Sequence, residues 1–113
     1  MNITLKGLPK ISLNQWYSGT HWTKRVKVKN TYKLLVKSQC KHVFTKDLKY
    51  AVAYEFGFKN NPLDASNCVA MVKMIEDILF EDDGYKTVIN IMITSNKSKE
   101  DFVKIKILEI KYE

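Results

Sequence analysis

From Leu48 to Phe58 every second residue is large and apolar: Leu48, Tyr50, Val52, Tyr54, Phe56 and Phe58, with Lys49, Ala51, Ala53, Glu55 and Gly57 between them. A period of two is the signature of a β-strand, and so aromatic a face belongs in a core. The small residues on the reverse leave room for a helix or a second subunit to approach closely. Any fold for this chain is built around that strand.

The other elements follow from the same periodicities. Ile3 and Leu5 alternate with Thr4 and Lys6 between Met1 and Gly7, a short strand that ends before Pro9. Residues 8–21 read as a loop in which Asn14, Trp16 and Tyr17 look exposed around the Ser18-Gly19 break; aromatics there either stack on bases or close over a core edge. Trp22 to about His42 carries Val28, Tyr32, Leu35, Val36 and Cys40 at helical spacing, with Lys29, Lys33, Lys37 and Lys41 opposite and Lys24, Arg25 and Lys27 ahead of them. A second helix is expected from about Asp64, its N-cap, with Ser66, Ala70, Lys73 and Asp77 on one stripe. Asp82-Asp83-Gly84 reads as the turn that ends it. Thr87–Thr94 and Phe102–Tyr112 read as strands joined as a hairpin through the polar Ser95–Asp101 segment, with a bulge or a doubly buried stretch at Ile107-Leu108. The order is βαβαββ: an α+β fold, a single mixed β-sheet with two helices, in one domain over residues 1–113.

Composition bounds the function. With 113 residues, 45% of them hydrophobic, the chain supports one core. It has no run of 18 apolar residues and no signal-like start, so the expectation is a cytoplasmic protein without a membrane span. Cys40 and Cys68 stand alone, as buried free thiols do, and suggest neither a zinc site nor a disulfide framework. Charge is divided unevenly. Residues 1–60 hold twelve Lys/Arg against Asp47 and Glu55, a net +10, and residues 61–113 hold seven Lys against ten acids, a net −3.

That division suits a polyanion held against a divalent cation, or else a soluble basic protein whose lysine face and acidic helix end are simply solvated. Like charges four residues apart cost an isolated helix about 0.2–0.5 kcal/mol per pair. A phosphate backbone removes that penalty and gives salt-sensitive binding without sequence preference. Asp64, Glu76, Asp77, Glu81, Asp82 and Asp83 crowd into Pro62–Gly84 with Lys73 as the one cation. Crowded carboxylates repel unless a cation is near, either a lysine or a bound Mg²⁺ or Mn²⁺.

The ordered motifs SLNxWYxGxHWxKRxxxKxxY (Ser12 to Tyr32), PLDxSN (Pro62 to Asn67) and KMIED (Lys73 to Asp77), followed by the Asp82-Asp83 pair, resemble the RusA family of Holliday-junction resolvases, in particular those of phages and prophages. The resemblance covers roughly residues 3–110. It implies a homodimeric, Mg²⁺-dependent endonuclease, with Mn²⁺ as a substitute, that cuts four-way DNA junctions. By position it makes Asp64 the first acid of the family's D-x-D-N element and Asn67 its asparagine. Lys73 and Asp77 match the helical Lys-x-x-x-Asp pair, and Asp82 or Asp83 the late aspartate. Two departures stand out: Ser66 replaces the second aspartate, and the step from Asn67 to Lys73 is longer than usual.

Phosphodiester hydrolysis needs an activated water, charge relief on the phosphate and help for the leaving oxygen, all of which Mg²⁺ between carboxylates supplies. The expected ligands are Asp64 and Asp82 or Asp83, with Asp77 as ligand or support and Lys73 steadying the phosphate or water. Lys24, Arg25, Lys29, Lys33, Lys37 and Asn67 are expected on the DNA. With Ser66 in place, a protein that binds junctions without cutting them is the alternative.

Overall fold

A computed structural model, which describes residues 1–17, 21–82 and 84–111, has the order β1 (Asn2–Lys6), α1 (Leu13–Tyr17), α2 (Trp22–Gln39), β2 (Lys49–Phe58), a 3₁₀ turn (Ala65–Cys68), α3 (Val69–Leu79), β3 (Val88–Lys97) and β4 (Phe102–Ile110). The strands form one mixed sheet in the order β1-β4-β2-β3, β4 antiparallel to both neighbours and β2 parallel to β3. The α+β class and the single mixed sheet expected from sequence are what the chain forms.

β2 is the hub. Tyr50, Val52, Tyr54, Phe56 and Phe58 are buried on one face, in register with Ile107, Ile105 and Val103 of β4, which in turn lie beside Ile3 and Leu5 of β1. Tyr32 and Val36 of α2 and Met71, Met74, Ile75 and Leu79 of α3 join the same core cluster. Each such side chain contributes about 1.5–3 kcal/mol by leaving water. Phe44, Tyr50 and Phe80 pack ring on ring, and Phe44 and Phe80 also share a parallel bridge, which pins the end of α3 to the start of β2. On the reverse face of β2 the Phe102 ring lies over Gly57, where an added Cβ would come within 2.3 Å of it. A ring from β4, not a helix, fills that gap.

Several expectations are corrected. Residues 8–21 are not all loop: Ser12 and Gln15 form a reciprocal capping box (Gln15 N–H to Ser12 Oγ 3.0 Å, Ser12 N–H to Gln15 Oε1 3.3 Å) that starts α1, and Trp16 is buried. The Ser18-Gly19 break lies outside the described residues. β3 and β4 are not a hairpin, because β2 lies between them. The chain crosses past the end of β2, held by Ser98 N–H to the Phe58 carbonyl (2.8 Å) and Lys59 N–H to Asp101 Oδ1 (2.7 Å). The irregularity falls on β3, where the register with β2 passes over Ile89, and not at Ile107-Leu108; Leu108 simply points to the open face, 53% exposed. Asp64 precedes the 3₁₀ turn without a side-chain cap bond, and α3 begins only at Val69. With the first turn 3₁₀ and Ala70 buried, the stripe Ser66, Ala70, Lys73, Asp77 is broken.

Candidate nucleic-acid interface

α2 is oriented by its buried residues. Tyr32 sits under the helix, its hydroxyl donating to the Pro9 carbonyl, and burial, with a smaller push from Cys68, raises the Tyr32 pKa well above the ordinary range. With Tyr32 and Val36 turned inward, Lys29, Lys33 and Lys37 fall on the flank that faces α3. Together with Asn30 they line one wall of a groove of about 320 Å³, and Met74, Asp77 and Ile78 of α3 line the other. The lysines therefore stand beside the helix pair, not directly opposite the core. Apolar Met74 and Ile78 suit the methylene stems of lysines whose ammonium groups reach outward.

Lys24 is exposed in the first turn of α2, outside this groove. Arg25 has a different place from the one expected. Its guanidinium lies over the rings of Trp16 (5.4 Å) and Tyr17 (5.9 Å) and donates to the Trp16 carbonyl, so it fastens α1 to α2. Asn67 is half-buried in the 3₁₀ turn, where its N–H donates to the Asp64 carbonyl (2.9 Å).

The acids are spread along the whole of α3. Asp64 is exposed at its leading end, beside the end of β3: the Leu63 carbonyl accepts the Ser95 hydroxyl. Lys73 and Asp77 are exposed one turn apart on α3, while Glu76 between them is buried and accepts the Tyr54 hydroxyl at 3.1 Å. Beyond the helix, Glu81 Oε2 accepts the Lys46 N–H (3.1 Å) and Asp82 Oδ1 the Gly84 N–H (2.9 Å). Gly84 leads directly into β3 through its carbonyl bonds to Thr87 and Val88. Asp83 lies outside the described residues.

That placement sets Asp64 apart from Asp77 and Asp82. Val88 and Ser95 are roughly 23 Å apart along β3 at 3.3 Å per residue, so Asp64 and Asp82 stand near opposite ends of the strand. The rise from Asp64 to Asp77 along the 3₁₀ turn and α3 is about 20 Å. Two ligands of one Mg²⁺ lie within about 4 Å of each other, since each bond is 2.0–2.1 Å. Asp64 thus does not fit one ion shared with Asp77 or Asp82 of the same protomer, and no three His, Cys, Asp or Glu side chains converge among the described residues. Sequence adjacency on a helix is axial distance in space.

One feature was missed from sequence. The Tyr54–Glu76 pair joins strand to helix across the core, and nothing local in the chain announces it. Cys68 is buried under the 3₁₀ turn, its thiol pKa raised by burial and by the Asp64 charge, against a hydrogen bond from Ser95. No family model matches the chain, and no curated protein matches it significantly. No helix among the described residues is long and apolar enough to cross a membrane.

Proposed function

We propose that the protein is a RusA-like endodeoxyribonuclease that engages four-way or otherwise branched DNA as a homodimer, in recombination, replication or repair. The observation that carries the reading is the lysine row of α2, Lys29, Lys33 and Lys37, gathered on a single groove that Asp77 shares. Three cations at four-residue spacing rise about 6 Å apiece along the helix, close to the separation of successive phosphates on a strand. The groove grips backbone and leaves bases unread. Two buried free thiols favour a reducing compartment, the cytoplasm of a bacterium or phage-infected cell.

Mg²⁺, with Mn²⁺ as substitute, is the cofactor this reading carries. Asp64 does not fit one ion shared with Asp77 or Asp82 of the same protomer, and Ser66 stands where the family has an aspartate. These two observations favour a second reading, a protein that binds junctions without cutting them. A labelled four-way junction incubated with the protein, with and without Mg²⁺, separates the two. Mg²⁺-dependent nicking that Asp64→Asn abolishes while binding survives supports the nuclease; salt-sensitive binding with no cut under either condition supports the second. Absence of any salt-sensitive DNA affinity would end both.

A further inference from the structure

The two outer strands of the sheet are finished differently. β1 has five residues and ends in Lys6, whose N–H and carbonyl are both held by the Gln39 carboxamide (2.8 Å each). β3 has ten residues, and among the described residues it pairs only with β2. From Val88 to Asn96 it carries no charge and no proline, in a chain in which 27% of residues are charged. Ile91 is 45% exposed and Met92 64%. Proteins normally blunt a long apolar edge with lysine, proline or a covering element, because its unpaired N–H and carbonyl groups recruit another strand.

We infer that β3 is the dimer surface, pairing antiparallel with β3 of a second copy to make one continuous eight-stranded sheet; this deepens the homodimer of the reading above. Self-pairing fits the pattern of the strand. A two-fold axis through Met92 sets Ile91 against the partner's Ile93, apolar against apolar on the helical side. Charge agrees as well. Lys97, on that same side opposite Phe58, reaches the end of the partner strand where the partner's Glu81 and the partner's Asp82 outnumber the partner's Lys86. In area, a strand about 33 Å long and a sheet about 10 Å thick bury on the order of 300–400 Å² per protomer. That is below the roughly 800 Å² of a standard interface, so main-chain hydrogen bonds carry much of the affinity.

The symmetry has two consequences. The axis that relates antiparallel edges is normal to the sheet, so both helical layers stay on one side and both lysine grooves face the same way. It also brings the Asp64 end of each protomer alongside the Asp82 end of its partner, which one protomer alone holds apart.

Sedimentation equilibrium without DNA tests the inference. The wild-type protein should show a concentration-dependent dimer, and Ile91→Lys and Met92→Lys should each be monomeric with unchanged circular dichroism. Leu108→Lys, on the open face of β4, should remain dimeric, and Met92→Cys should oxidise to a disulfide-linked dimer. A wild-type monomer at all concentrations, edge variants that stay dimeric, or loss of the dimer in Leu108→Lys would overturn it. A monomer that still cuts junctions would sink this inference and spare the nuclease; a β3-paired dimer that ignores DNA would do the reverse.

Discussion

The Tyr54 hydroxyl meets the Glu76 carboxylate at 3.1 Å inside an otherwise apolar core. Tyr54→Phe keeps the ring and takes away a donor to a buried acid, so urea unfolding should report a loss of about 1–3 kcal/mol. Two other buried groups fix the sign of the alkaline response. Burial raises the folded-state pKa of Tyr32 and Cys68 above their ordinary values of 10.0 and 9.0. The folded chain therefore keeps protons that the unfolded chain releases, and stability present below about pH 9 falls as pH rises. Denaturant melts at about pH 8 and about pH 10.5 should show that fall, and Tyr32→Phe should make it shallower. Tyr32 was placed inside by helical period and Tyr54 by strand period, but Glu76 looked like one more acid in a crowded stretch.

At the scale of elements, α2 holds the DNA prediction. Lys29→Ala and Lys33→Ala should each weaken binding alike across sequences and reduce the slope of log affinity against log salt by about 1, read by fluorescence anisotropy at several salt concentrations. Arg25→Ala should instead lower thermal stability, because its guanidinium secures Trp16 and α1. Long periodic elements were legible: β2 by its alternation, α2 by Tyr32 and Val36, β4 by Val103, Ile105 and Ile107. α1 was not, since five residues hold too little period and only the Ser12–Gln15 box marks them. The polar Ser95–Asp101 segment misled for another reason. A short hydrophilic link serves a hairpin and a crossing past a strand end equally well, and only Ser98 on Phe58 and Asp101 on Lys59 distinguish them.

Over the whole molecule, class and single sheet could be read, but strand order and the meeting of side chains could not. The candidate site divides the same way: lysines repeated every four residues found one groove, whereas acids close in number were spread by the rise of α3. The sheet order also bears on how the protein is made. β1 (Asn2–Lys6) pairs with residues Phe102–Lys106 of β4, far downstream in the sequence. Ribosomes add about 5–20 residues per second, so the first strand emerges well before its partner exists. Closing a loop of that span is slow relative to local helix formation, which lets α2 and α3 form early while β1 waits. The nascent chain is thus a half-built sheet with β1 an orphan, and the sheet closes only after β4 has left the ribosome.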